Sequence, residues 1–273
     1  MKVGKFWPWA VFTLGALYFL LPLLATFIFS LRMRRDTYTF DAYLSVFGDA
    51  RFQATFSYSL VCAIAAIAVG VAIVLPAAYY VRLRLQWLRP VMEFITLLPL
   101  IVPPIILVFG HIKLFNSSSI LPLTSPIQIP FTNIVLQTFG TDVLLVCGYV
   151  TLSLPYMYRA IDTGLRTIDV QTMTEAATIL GATPLRTMAQ VILPNIFLAV
   201  LSGAFLTFAI VIGEFVLASL LNRPAFGVYM QNIGANRAYE PSALAIISFA
   251  LTWGAIGVIQ LLDRFAPKTA RKD

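Results

Sequence analysis

Six runs of about twenty mostly apolar residues follow one another along this chain, and they restrict it to one class of fold. The runs lie near residues 6–31, 57–81, 94–110, 143–158, 191–213 and 243–262. Each is long enough to cross a lipid bilayer as a helix. Backbone polar groups in lipid have no water to bind, so a spanning segment must satisfy them internally. A membrane barrel would need short strands of alternating polarity, and these runs do not alternate. The expected fold is therefore an all-α membrane protein of six transmembrane helices, with membrane lipid as its main solvent. Lys2 and Lys5 precede the first run as they would a signal peptide, but the run is too long for one. No small-residue cleavage site ends it, so it reads as a retained first span.

Composition agrees. Of 273 residues 59% are hydrophobic and 11% are charged, against roughly 25% charged in soluble domains. Net charge is +7, yet the Lys and Arg residues stand singly or in small groups at the ends of apolar runs. There is no basic stripe of the kind nucleic acid requires. Twelve of the 19 Lys and Arg residues fall on the side of the termini and the second and fourth connections. Positive charge marks the cytoplasmic face, which places both termini in the cytoplasm. Arg32, Arg34 and Arg35 directly follow the first span on the opposite face and run against this count.

The polar exception is the stretch from Glu175 to Pro194, EAATILGATPLRTMAQVILP, wedged between the fourth and fifth runs. Thr172 and Glu175 fit a capping box, with Thr172 as N-cap. Met173, Ala176, Ala177 and Leu180 follow at i, i+3, i+4 and i+7, one apolar stripe. Gly181 stands where a helix end favours a left-handed residue. Thr183 and Pro184 restart a helix as N-cap and N1. The pattern predicts two short helices joined by a tight turn on the cytoplasmic surface, over about residues 165–190.

Other polar features are sparse. The segment LPLIVPP, with Pro99 and Pro103, breaks the third run; such breaks serve either packing or a binding pathway. Glu214 ends a stretch without charge that begins at Thr187. A carboxylate there faces a cavity or a partner, or lies hydrated at the outer interface. The outer connection 112–142 contains Pro122, Pro126 and Pro130, which argue against a straight helix. Cys62 and Cys147 lie within apolar runs as packing residues, and His111 has no neighbours for a metal site. Gly203, Gly213, Gly254 and Gly257 suit close helix packing.

The spacing EAA, three residues, Gly, nine residues, aliphatic, one residue, Leu-Pro resembles the signature of permease subunits of binding-protein-dependent ABC importers. Glu175, Ala176, Ala177, Gly181, Leu193 and Pro194 match it, and Val191 stands where Ile is usual. The six runs and the position of the insert before the fifth extend the resemblance over nearly the whole chain. It implies a single transmembrane permease domain over residues 1–273 in the bacterial inner membrane, with a coupling-helix loop between the fourth and fifth spans. Thr172, Glu175, Ala176, Ala177, Leu180, Gly181 and Pro184 would then contact a cytoplasmic ATPase subunit. Further implied partners are a second permease subunit, read as a different chain, and a soluble substrate-binding protein. No GxxxxGK[ST] phosphate loop occurs, so the resemblance implies a transport subunit rather than an enzyme, with no cofactor of its own and ATP bound by the partner.

Within the family, FAIVIGEFVLASLLNRP and LPLIVPP resemble spermidine/putrescine-type permeases. That implies a polyamine or related organic cation, with Glu214, Pro99 and Pro103 on the translocation pathway. Gly-Glu-Phe also resembles sulfate and molybdate permeases, and LPLIVPP the opine, phosphonate and ferric-iron branch, so these solutes stay open. Two other classes are a non-ABC channel, which would need a filter and no coupling loop, and an intramembrane enzyme, which would need paired catalytic groups within spans. Co-purification with an ATPase separates them.

Overall fold

The computed structural model describes residues 6–34, 37–115, 127–128, 135–136 and 137–265. Helix α1 covers Phe6–Ser30, α2 Asp41–Gly48 and α3 Ala50–Leu83. After a 3-10 turn at Gln86–Leu88 come α4 (Arg89–Ile101) and α5 (Pro104–Phe115). One two-residue antiparallel ladder, Ile127–Gln128 with Val135–Leu136, precedes α6 (Gln137–Arg166). The remainder of the proline-rich connection lies outside the described residues. Then follow α7 (Val170–Ile179), α8 (Pro184–Thr187), a π-turn (Met188–Ile192), α9 (Leu193–Asn195), α10 (Phe197–Gly213), α11 (Val216–Leu220), α12 (Phe226–Asn236) and α13 (Glu240–Phe265).

The chain is thus helical, as expected. Trp7–Ser30, Ala50–Leu83 and Thr141–Arg166 are each long and apolar enough to cross a membrane. Two bent pairs bring the number to as many as five among the described residues. Helix α13, with 26 residues, has spanning length at 1.5 Å per residue. Two of the runs are broken, the third at the prolines where the sequence places a break and the fifth where it does not. The third is α4 and α5, bent by 106°, and the fifth is preceded by an 83° bend between Asn195 and Phe197. Proline causes the first break. Val102 is extended (φ −82°, ψ 121°) because the residue before a proline is pushed out of the helical region, and Pro104 restarts α5 at its first position. At the second, Pro194 has no N–H to give, and the Asn195 side chain donates to the Val191 carbonyl at 2.7 Å.

Helices α3, α6 and α10 form the packed centre. Small residues allow it: a Cβ on Gly203 would stand 2.9 Å from Met157 Sδ and 3.2 Å from Ala160 Cβ, so α10 lies tight on α6. Three apolar clusters run along this centre. The first joins Ala63, Leu144, Leu145, Tyr149, Val211 and Leu217. The second joins Leu75, Tyr79, Met157, Ile161, Val170 and Ile192, taking α7 and the π-turn into the same core as α3 and α6. The third holds α2, α12 and α13 at the opposite end through Val46, Phe226 and Leu244. Helix α1 stands apart. None of its apolar window is buried, and it touches the rest near its end, where Phe29 stacks on Tyr239 and Ser30 bonds Tyr43.

Candidate functional site: a capped surface hairpin and a broken helix

The α7–α8 hairpin is built by its own capping groups. Its first helix starts three residues earlier than the capping-box pattern predicts. Asp169, not Thr172, is the N-cap: Asp169 Oδ1 accepts from the Thr172 amide at 3.1 Å and Oδ2 from the Thr172 hydroxyl at 2.7 Å. A carboxylate is a stronger partner than a hydroxyl for the positive end of a helix, and Asp169 lies three residues upstream to take that place. These hydrogen bonds from Thr172 hold the Asp169 carboxyl below its ordinary range. Glu175 is consequently a turn and a half inside the helix. Its carboxylate accepts from Gln171 Nε2 at 3.0 Å and faces outward.

The apolar stripe is also redistributed. Val170 and Ala177 are buried and Met173 half-buried, whereas Ala176 is exposed. Leu180 is 87% exposed rather than part of the buried face. The helix ends at Ile179, so the seven-residue spacing no longer carries Leu180 back onto the core. Gly181 takes φ +79°, as the pattern predicts. Its amide donates to the Thr178 carbonyl at 2.9 Å and Ala182 donates to the Ala177 carbonyl at 3.0 Å, a complete Schellman turn. Thr183 then accepts from the Arg186 amide at 3.4 Å with Pro184 at N1. The outcome is a stiff hairpin whose tip shows Ile179, Leu180 and Leu185, all more than two-thirds exposed.

Beside the hairpin lies a cluster of charges. Arg166 donates to Asp162 at 2.6 Å, Arg89 to Glu93 at 3.1 Å, and Arg89 reaches Asp162 at 3.5 Å. The cluster ties α4 to α6. Its two tight pairs sit at i,i+4, a spacing legible in sequence; their meeting across helices is not.

Around the α4–α5 break, Pro99, Pro103, Leu152, Tyr156 and Ile210 line a cavity of about 350 Å³ between α4, α6 and α10. Glu214 lies elsewhere, just past α10. It is 8% exposed, and its carboxylate oxygens accept from the amides of Leu217 at 2.9 Å and Ala218 at 3.3 Å. It thereby caps α11, which packs on α5 and α6. The carboxylate is engaged by backbone within the chain itself. Ser59 of α3 accepts from the Phe226 amide at 2.8 Å and fixes the start of α12 in the same region. Arg223, between α11 and α12, donates to Thr141 at 2.6 Å and pairs with Asp142 at 2.9 Å, which also accepts from Tyr58 at 2.6 Å. Glu214 and Arg223 thus pin the two ends of the short segment that carries α11.

Comparison with known proteins agrees with this architecture. Residues 66–271 match the family described as the binding-protein-dependent transport system inner membrane component. The chain is 30% identical over 186 residues to "Probable ABC transporter permease protein y4fN" of Sinorhizobium fredii (strain NBRC 101917 / NGR234), covering 68% of this chain and 31% of that one. It is 28% identical over 127 residues to the putrescine transport system permease protein PotI of Escherichia coli (strain K12), covering 46% and 44%. The chain therefore spans less than half the length of these curated relatives. A solved bacterial ABC transporter involved in the import of the acidic polysaccharide alginate has the same fold, with a TM-score of 0.68 over 97% of both chains at 13% identity. The family match covers well over half of the chain, across α6, the hairpin and α10, and this chain belongs to the family of binding-protein-dependent transport system inner membrane components.

Proposed function

We propose that the chain is a pore-forming permease subunit of an ATP-driven importer whose α7–α8 hairpin seats on a separate cytoplasmic ATPase. The observation that carries this reading is the hairpin tip. Ile179, Leu180 and Leu185 stand exposed on a turn closed at both ends by caps, beside the small side chain of Ala176. A rigid apolar knob on a polar surface suits insertion into a groove, since little order is lost on docking. Glu175, Thr172 and Pro184 flank that knob. A second permease subunit completes the pore, and a soluble binding protein delivers solute at the opposite face. ATP, bound by the partner, biases the complex toward one of its two states.

For the solute we favour a polyamine or related organic cation. Support comes from the putrescine and the spermidine/putrescine permeases among the relatives. The α4–α5 break, with Pro99 and Pro103 at its cavity, is our candidate for the pathway. Glu214 contributes there by holding α11 against α5, rather than by meeting the solute directly in this conformation.

The test is to purify the tagged chain from its native membranes. An ATPase subunit should co-purify with the wild type. Gly181→Val, which forces a β-branched side chain to positive φ, should insert normally yet lose the ATPase. If no ATPase accompanies the wild type, the importer reading fails. Uptake of putrescine beside an anionic candidate then tests the solute: movement of the anion alone removes the polyamine assignment.

A further inference from the structure

We propose that Tyr79 is a positioning residue of the transport cycle, its hydroxyl registering the α7–α8 hairpin against α3 through Thr174. The inference rests on the importer reading above.

Tyr79 Oη and Thr174 Oγ1 stand 3.0 Å apart, 95 residues apart in sequence. The direction of the bond follows from the proton count. The single Thr174 hydroxyl proton is used on the Val170 carbonyl at 2.6 Å, so Tyr79 must donate to Thr174. Tyr79 is 1% exposed and wedged among Met157, Ile161, Leu165 and Val170. Among the described residues, this is the side-chain hydrogen bond that joins α7 to a spanning helix. The apolar face of α7, comprising Val170, Met173 and Ala177, permits sliding along α3, because dispersion contacts have little direction. A part-buried hydroxyl pair does not, because its geometry fails within a few tenths of an ångström. The bond therefore sets the register in which hairpin movement reaches α3.

Helix α3 is the element able to carry that movement. It is one continuous helix from Ala50 to Leu83, with Pro76 inside it three residues before Tyr79. From Tyr79 to Ala54 is about 37 Å along the helix, at 1.5 Å per residue. Ala54 lines a cavity of about 570 Å³ with Asp49, Arg51, Tyr229 and Arg237 at the far end.

The test uses the purified complex with its own ATPase and Mg-ATP as the probe. The reporter is Ala54→Cys, with Cys62 and Cys147 replaced by Ala, and the measurement is its rate of reaction with an impermeant maleimide. In the parent carrying only these changes, ATP with vanadate should alter that rate. Tyr79→Phe and Thr174→Val should each reduce the response by about fivefold, roughly the factor for loss of one net hydrogen bond. ATP hydrolysis and thermal midpoint should remain within about twofold and a few degrees of the parent. Thr174→Ser, which keeps the hydroxyl, should restore the response. A full response in both hydroxyl-deleting variants overturns the proposal, as does a loss that Thr174→Ser shares. If the parent complex contains no ATPase, or ATP leaves its labelling unchanged, the importer reading itself falls and the inference with it.

Discussion

Gly227 lies directly against the main-chain carbonyl of Glu214. A Cβ at this position would overlap the Glu214 oxygen and stand 3.3 Å from Phe215 Cα. The obstacle is backbone, which cannot rotate aside as a side chain can. The first turn of α12 is thereby locked against the α10–α11 corner, with the Phe226 amide on Ser59 Oγ. Gly227→Ala should separate α12 from this corner and cost about 1–3 kcal/mol, the range for overpacking. Thermal unfolding in detergent measures it. A midpoint equal to wild type would show that the corner yields without cost.

Glu214 gives a graded prediction. Glu214→Ala leaves the buried amides of Leu217 and Ala218 without acceptors, at a cost of about 1–3 kcal/mol. Glu214→Gln keeps one acceptor oxygen and should lose less. Uptake of a cationic and an anionic solute should fall together in Glu214→Ala, following the loss of folded protein, while Glu214→Gln transports both near the wild-type rate. If Glu214→Gln abolishes cation uptake alone, the carboxylate meets the solute directly after all.

Asp169 makes the hairpin sensitive to acid. Its carboxyl lies below the ordinary value of 3.8 because it accepts from Thr172. A folded-state value depressed in this way stabilises the fold above the ordinary value, and that contribution is lost as pH falls through the folded one. Amide exchange at Thr172 and Met173, corrected for its intrinsic pH dependence, should lose protection below about pH 3.8 in the wild type. In Asp169→Ala protection should be weaker at neutral pH and change little on acidification. Parallel profiles would show that the cap does not govern the helix start.

Orientation is the fourth test. Ala238→Cys, between α12 and α13, should react with an impermeant thiol reagent from outside intact cells. Gln86→Cys and Thr178→Cys should react only after the membrane is opened. The inverse pattern would place the hairpin outside and leave Arg32 and Arg34 marking the cytoplasmic face instead.

The apolar runs determined the helical membrane fold, because lipid accepts few other backbone arrangements. Local rules determined much of the hairpin as well. Gly181 at positive φ, Thr183 as cap and Pro184 at N1 depend on neighbours within a few residues, and so they are legible in order along the chain. The break at Val102–Pro104 is legible for the same reason. Even Asp169 was within reach of sequence, as an acid three residues before Thr172 that competes with Thr172 for one helix start. Only the tertiary structure decided which side of α7 is buried, because that depends on Tyr79 and Ile192 arriving from other segments to meet Val170 and Met173. It likewise decided the use of Glu214. A carboxylate after an apolar run has the same spelling whether it lines a pathway or caps a helix. The difference was made by the fold of residues 215–218, which turn back and present two amides to it. Hydrogen bonds between residues far apart in sequence, such as Tyr79 to Thr174 and Phe226 to Ser59, leave no periodic trace, and the packed helices alone bring their partners together.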